Sequence, residues 1–140
     1  MAIRWVVGVL NRDSRVLIAK IRSKELLIPR MQWAFPYTTL RDEESPRTAI
    51  KRLFNNELGM NIEVGKFLVK VIPSENPKVE QYFYEVKYRA GNVINSKDFS
   101  EFTWILPTQV LKYFTTSISR DLMDYLNFLE KKGTGIIIQG

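Results

Sequence analysis

The 140-residue sequence contains no cysteine and no histidine. The missing cysteine excludes disulfide bonds, thiol nucleophiles and thiolate zinc sites. The missing histidine removes the imidazole base and the commonest protein ligand of transition metals. Any chemistry must therefore use carboxylates, Lys, Arg, Tyr or hydroxyl side chains, and any bound metal must be a hard cation held by oxygen atoms.

Long apolar runs are also missing, since no stretch approaches the roughly 18 residues that a membrane span needs. The apolar segment over residues 3–10 is too short for a signal-peptide core and has no small-residue cleavage site after it. We therefore expect a cytoplasmic protein without membrane contact. The hydrophobic share of 45% and the charged share of 26% are typical of a globular protein. We expect one domain over residues 1–140, with residues 133–140 as a C-terminal tail.

Positive charge is concentrated in one third of the chain. The net charge is +6, and residues 1–41 alone hold eight basic side chains and two acidic ones, which accounts for the whole excess. We interpret this third as a positive face for a phosphate-rich partner such as a nucleotide, RNA or a ribonucleoprotein. The alternative is a solvated basic surface that only keeps the protein soluble.

The pattern of apolar and turn-forming residues predicts a mixture of strands and helices. Strands are expected over residues 3–10, 16–22, 62–72, 79–88 and 102–106. A short helix should begin at Pro107 and end at about Lys112. A final helix should be capped by Ser117 or Ser119 and end at Gly133. This order indicates an α+β fold, an α/β/α sandwich around a mixed sheet.

The best-marked helix lies between Ser45 and Gly59. Ser45 is a good N-cap, Pro46 occupies the first helical position and Gly59 is a typical stop. Apolar residues recur at helical spacing and predict the buried face: Ala49, Ile50, Leu53, Phe54 and Leu58. This helix should therefore pack against the sheet along that face.

Residues 33–60, WAFPYTTLRDEESPRTAIKRLFNNELGM, resemble the signature of the Nudix family of nucleotide pyrophosphohydrolases. That signature is G-x5-E-x7-R-E-U-x-E-E-x-G-U, where U is apolar. Six of its nine fixed positions match without a gap: Glu44, Arg52, Phe54, Glu57, Gly59 and Met60. The W-x-F-P that commonly precedes it is present over residues 33–36. Residues 101–111 resemble the E-x-x-W-V…E-L stretch near the C-terminus of these domains.

The resemblance implies a Nudix-type sandwich, with the signature helix on one side of the sheet and the C-terminal helix on the other. In active members three Glu residues of this helix hold Mg²⁺ or Mn²⁺ against the substrate diphosphate. Here those positions are Leu53, Asn56 and Glu57. Their i, i+3, i+4 spacing predicts one shared side of the helix. One carboxylate then remains of three, with Glu57 and Asn56 as weak metal ligands, while Leu53 is better placed in the apolar face.

The resemblance also assigns roles outside the metal positions. Arg52 should pair with Glu44 or Glu57, and these three form the residual catalytic set. The glycine of the signature is replaced by Thr38, preceded by Tyr37 where a second glycine is common. Glycine permits positive φ and close backbone approach to phosphates. We therefore expect a reshaped loop in which Tyr37 partly fills the pocket. The alternative for Glu44 and Glu57 is that they are only solvated or ion-paired helix residues.

Further acidic and basic residues are candidates for the site. Asp98 or Glu101 would be the acid that family members often add before the late strand. Asp42 and Glu43 are interpreted only as charges that favour the helix N-terminus. The expected ligand-binding residues are Arg22, Lys24, Arg30, Tyr37 and Glu101. The simpler interpretation of Lys24 and Arg30 is that they face solvent.

The sequence and the resemblance support three hypotheses of function. The first is a catalytically impaired Nudix-fold protein, without a metal cofactor, that binds a nucleotide, RNA or a ribonucleoprotein partner. The second is an active Mg²⁺- or Mn²⁺-dependent hydrolase of nucleoside diphosphate-linked substrates, using Glu57, Glu44 and an acid such as Glu101. The third is a structural subunit or homodimer whose tail, Ile136–Ile138, docks on a sheet edge.

Overall fold

The computed structural model describes residues 2–22, 26–94 and 96–134. Within them, seven strands form one mixed sheet: β1 (Ile3–Arg12), β2 (Arg15–Ile21), β3 (Trp33–Ala34), β4 (Tyr37–Thr39), β5 (Asn61–Val71), β6 (Val79–Ala90) and β7 (Phe99–Ile105). The helices are α1 (Pro46–Lys51), continued by a π-helical segment over Arg52–Glu57, then α2 (Val110–Tyr113) and α3 (Arg120–Thr134). A 3-10 turn, Pro107–Gln109, precedes α2.

The sheet is organised around β1. It runs parallel to β6 over most of its length, and the sheet order is β3-β2-β1-β6-β5. Beside their turn, β1 and β2 pair antiparallel through Asn11↔Val16 and Arg12↔Arg15. Further from the turn the two strands take other partners, since β4 pairs with the start of β1 whereas β7 and β3 pair with β2. This divergence opens a wedge between β1 and β2.

Helices cover both faces of the sheet. Alternate residues of β1 point to opposite faces, so they belong to two separate cores. On one side Trp5, Val7 and Val9 belong to a buried core that α3 completes with Leu122, Leu126 and Leu129. On the other side Val6 and Leu10 belong to a second core, to which the α1 region contributes Ala49, Ile50, Leu53 and Phe54. The predicted α/β/α sandwich with a mixed sheet is confirmed.

The signature helix begins and ends as its sequence predicts. The Ser45 hydroxyl accepts a hydrogen bond from the Thr48 N–H at 3.2 Å, and Pro46 is the first helical residue. Gly59 has φ +74°, a left-handed conformation that terminates the helix. The apolar face lies in the core, including Leu53 at 1% exposure.

Several predicted boundaries need correction. β7 begins at Phe99, three residues before the predicted start, and the short strand β4 was not predicted. Ser119 caps α3 by accepting from the Leu122 N–H at 3.2 Å, whereas Ser117 instead donates to the Glu75 carboxylate. The helix α3 passes Gly133 and ends at Thr134, so glycine does not stop it.

The predicted roles of the C-terminal tail and of a homodimer are not tested by the described residues. The tail segment Ile136–Ile138 lies outside the described residues, and the homodimer stays a prediction. None of the described helices is long and apolar enough to cross a membrane.

Gly8 in β1 allows the signature helix to lie directly on the sheet. A Cβ atom at this position would lie 2.3 Å from Cε2 of Phe54. We expect Gly8→Ala to lower the free energy of unfolding by about 2 kcal/mol, because the ring must move within a packed core. Urea unfolding would measure this. The double variant with Phe54→Leu should lose less than the two single losses added together; simple additivity would contradict this contact.

Candidate functional site

A cleft of about 750 Å³ opens in the wedge where β1 and β2 diverge. One wall carries Trp5 of β1 and the three residues of β4, Tyr37 to Thr39. The opposite wall is formed by the end of β2, by Leu26, Leu27 and Met31 of the following loop, and by residues 97–99 at the start of β7. Arg41, Arg52 and Glu57 line the cleft from the signature segment. The cleft therefore gathers residues from four separate parts of the chain.

Aromatic rings form the wall around Tyr37. The indole of buried Trp5 stacks on the Tyr37 ring with centroids 4.3 Å apart, and the Phe99 ring meets Tyr37 edge-on at 5.7 Å. Burial, together with the nearby negative charge of Asp98, raises the pKa of Tyr37 to about 12. The phenol therefore stays protonated at neutral pH and offers the cleft a hydrogen-bond donor. Thr38 follows in extended β4, opposite Val6, where the signature has glycine.

Arg52 joins the helix to the loop before it and to β4. Its Nε and Nη2 atoms donate to the two carboxylate oxygens of Glu44 at 2.9 and 3.0 Å. The same guanidinium donates to the Thr39 carbonyl at 3.1 Å and to the Thr38 hydroxyl at 3.3 Å. It also lies 3.4 Å from Glu57 Oε1. Arg52 thus pairs with both acidic residues that the resemblance proposed.

The pairing engages both oxygens of Glu44. Its Oε1 also accepts the Arg41 backbone N–H at 3.1 Å. The hydrogen bonds from Arg52, opposed by burial and reinforced by the Arg41 N–H, lower the pKa of Glu44 to about 2. The same pairing raises the pKa of Arg52. Glu44 is therefore ionised at neutral pH, and its protonation would weaken the contact with Arg52.

The segment that carries the three metal-holding positions of active members is wound as a π-helix over Arg52–Glu57. The Leu58 N–H donates to the Leu53 carbonyl at 3.0 Å, a bond that spans five residues instead of four. Leu53 is buried in the core, Asn56 is exposed outside the cleft lining, and Glu57 lines the cleft. The three positions therefore differ in burial, and their shared side of the helix stays a prediction.

The residues present fit a divalent cation poorly. Mg²⁺ requires oxygen ligands in near-octahedral geometry. Glu44 is held by Arg52, and the carboxylates among the described lining residues are Glu57 and Asp98. Across residues 2–22, 26–94 and 96–134, no group of three or more acidic side chains is arranged to hold a metal ion. The described part of the chain therefore lacks the carboxylate cluster of the signature.

Cationic side chains line the cleft instead. Arg22, Arg41 and Lys97 are exposed residues in its wall. The Arg22 Nη2 atom donates to the carbonyls of Phe99 and Ser96 at 3.3 and 3.4 Å, and its backbone N–H donates to the Asp98 carbonyl at 2.9 Å. Only Arg22 of these three was predicted. Arg41 belongs to the basic first third of the chain but was not predicted individually, Lys97 lies outside that third, and only chain folding brings the two to one cleft.

The remaining predicted binding residues have different surroundings. Tyr37 lines the cleft as expected, whereas Arg30 and Glu101 are not among its described lining residues. Arg30 is exposed with φ +66°, and its carbonyl accepts a hydrogen bond from the Thr115 hydroxyl. Glu101 lies on β7, 3.9 Å from Lys20 Nζ. Lys24 lies outside the described residues. The ligand roles of all these residues stay predictions.

A mixed sheet between two helical layers, with a cleft beside the signature helix, is the architecture that the resemblance implied. The family model of the NUDIX domain matches residues 2–126, and the chain belongs to the Nudix family. No curated protein matches the chain.

Solved structures agree on the fold. A MutT protein from Methanosarcina mazei Go1 is 17% identical, with 94% of each chain covered and a TM-score of 0.69. The E. coli ORF135 protein is 18% identical, with 95% of this chain and 92% of that chain covered and a TM-score of 0.64. An ADP-ribose pyrophosphatase from Streptococcus suis 89-1591 is 10% identical, with coverage of 100% and 96% and a TM-score of 0.64. At these identities the likeness establishes the fold alone.

The Glu44–Arg52 pair should make stability depend on pH. Because the native pKa of about 2 lies below the ordinary value of 4.5, ionised Glu44 stabilises the fold above about pH 4.5, and this contribution disappears as the pH falls toward 2. We expect Glu44→Gln to cost about 2 kcal/mol at pH 7. The difference from the wild type should shrink at acidic pH in urea unfolding. The exposed neighbour provides a control, Asp42→Asn, and a similar loss there would contradict the assignment.

Because Leu53 is buried, we expect that restoring the signature carboxylates at positions 53 and 56 will not create a metal site. Leu53→Glu places a carboxylate in an apolar core and should cost about 3 kcal/mol or more. Asn56→Glu, at an exposed position, should change stability by less than about 0.5 kcal/mol. Thermal unfolding and Mg²⁺ titration calorimetry would test both variants. Tight Mg²⁺ binding by a stable double variant would show that position 53 can reach the cleft.

Proposed function

We propose that this protein is a catalytically impaired Nudix-fold protein that binds a nucleotide, with the phosphates in the cleft between β1 and β2. The main support for this proposal is the composition of the described cleft wall, which combines Arg22, Arg41 and Lys97 with Glu57 and Asp98. Phosphate oxygens bind arginine and lysine through charge-assisted hydrogen bonds. The apolar residues Leu26, Leu27 and Met31, in the same wall as Arg22 and Lys97, offer the nucleobase a surface.

The impairment follows from what hydrolysis requires. Water must attack a phosphorus atom surrounded by negative oxygens, and divalent ions normally neutralise that charge and activate the water. Of the three signature ligands, Glu57 alone is a carboxylate in the cleft wall, and it lies beside Arg52. Positions 53 and 56 carry leucine and asparagine instead of the other two carboxylates. The loss of two metal ligands favours binding over turnover.

We extend this proposal to RNA or a ribonucleoprotein as the partner that presents the nucleotide. Residues 1–41 carry the whole positive excess, and Arg22 and Arg41 belong both to this third and to the cleft wall. A nucleotide at the end of an RNA strand would present the same phosphates. Such a partner would be met in the cytoplasm, and its binding should weaken steeply with salt.

An active hydrolase is the second candidate, because Glu57 and Asp98 line the same cleft. One or two carboxylates together with substrate phosphates can suffice for Mg²⁺ or Mn²⁺. Asp98 would then provide the additional acid, instead of Glu101, which pairs with Lys20 on β7.

A hydrolysis panel separates the two candidates. The protein is incubated with Mg²⁺ or Mn²⁺ and with nucleoside triphosphates, dinucleoside polyphosphates, ADP-ribose and sugar nucleotides, and phosphate and monophosphate release are followed. We expect turnover far below about 1 s⁻¹, the low end of the usual enzyme range. Turnover above that value that disappears in Glu57→Gln, but persists in the exposed control variant Glu43→Gln, would overturn the proposal of impaired catalysis.

A further inference from the structure

The cleft presents a positive surface where an active member presents carboxylates. We infer that it binds the diphosphate group of a nucleotide without a divalent ion, with Arg22, Arg41 and Lys97 providing the positive charge that a metal would otherwise supply. This inference rests on the proposed nucleotide-binding function and specifies how that site recognises its ligand.

The charges in the cleft wall support binding of a diphosphate without a metal. Arg52 forms a bidentate pair with Glu44, so the two charges compensate each other. The other lining cations, Arg22, Arg41 and Lys97, form no ion pair with a carboxylate elsewhere in the described chain. They outnumber the two lining carboxylates, Glu57 and Asp98. The described wall is therefore positive before any metal binds, and a diphosphate is attracted to it directly.

The positions of the three cations also support this mode of binding. Arg22 follows β2, Arg41 precedes α1 and Lys97 precedes β7, so they approach the cleft from three separate segments. The carbonyls of Ser96 and Phe99 accept from one terminal nitrogen of Arg22 and fix its guanidinium, while its other N–H groups remain able to donate to phosphate oxygens. The Arg41 backbone is fixed by its hydrogen bond to Glu44.

The two modes of recognition respond oppositely to Mg²⁺. When carboxylates line a site, the metal must join them to the phosphates, and chelation abolishes binding. When cations line it, Mg²⁺ bound to the free diphosphate reduces the ligand's negative charge and competes with the protein. Affinity should therefore be equal or higher when divalent ions are removed.

The experiment is calorimetric titration of the intact protein with inorganic pyrophosphate and with ADP, in EDTA and in Mg²⁺ at equal ionic strength. We expect binding in EDTA that is at least as tight as in Mg²⁺. Arg41→Gln and Lys97→Gln should each weaken binding in EDTA about tenfold, the effect of losing one charge-assisted hydrogen bond.

Two matched variants control for net charge. Arg15→Gln and Lys112→Gln remove the same charges from exposed positions that do not belong to the cleft lining. They should change the affinity less than about twofold, since exposed charges further away are screened. Circular dichroism melts confirm that all four variants remain folded. Equal losses in the cleft and control variants would overturn the inference, because binding would then reflect only overall charge.

The outcomes separate this inference from the function on which it rests. Binding of ADP that requires Mg²⁺ and proceeds without turnover would overturn metal-independent recognition and leave the impaired nucleotide binder in place. Binding in EDTA that is lost in the cleft variants, together with rapid turnover in Mg²⁺, would support cation recognition and overturn impaired catalysis. Absence of binding to both probes under both conditions would overturn the inference and count against the function.

Discussion

The hydrogen bonds of Arg52 hold the candidate site together. Through four of them this one guanidinium connects the signature helix to Glu44 in the loop before it and to Thr38 and Thr39 in β4, and a fifth reaches Glu57 within the same segment. Because β4 pairs with the start of β1, the connection also holds one wall of the cleft against the helix. A charged side chain with little exposure is stable only when its hydrogen-bonding capacity is used. The loop and the signature helix are thus joined by an ion pair and its hydrogen bonds.

Retained signature residues are poor evidence of hydrolysis here, because two of the three metal-holding positions lack a carboxylate. Leu53 is buried in the core, Asn56 is exposed outside the described cleft lining, and Glu57 keeps its carboxylate in the cleft wall. Glu44 is retained, and its lowered pKa reflects its contact with Arg52, a pairing that the resemblance also implies. Leucine at 53 stabilises the core in which it lies, because burial of an apolar side chain is favourable. Composition at two positions, and not the ion pair, therefore distinguishes this site from the full signature.

The fold was largely predictable because its signals are local. Ser45, Pro46 and Gly59 mark the helix through capping and backbone preferences that operate within a few residues. The apolar run of residues 3–10 and the helical spacing of apolar residues from Ala49 to Leu58 predict buried residues for the same reason. The prediction was wrong where the determinant was tertiary. The strand β4 exists because Tyr37 to Thr39 pair with β1, and Ser117 is drawn away from the helix by Glu75.

By itself, the sequence determined the family, the layers of the sandwich and the loss of two signature carboxylates, because residue identity and short-range spacing are sufficient for each. It also excluded thiol and imidazole chemistry outright. The resemblance already implied the pairing of Arg52 with Glu44 or Glu57, but the tertiary structure alone decided which charged groups line the cleft. It placed Arg41 and Lys97 in the same cleft as Arg22, and left Arg30 and Glu101 outside the described lining. The physical reason is that electrostatic recognition depends on distances between segments far apart in the chain, and those distances are set by how β1 and β2 diverge.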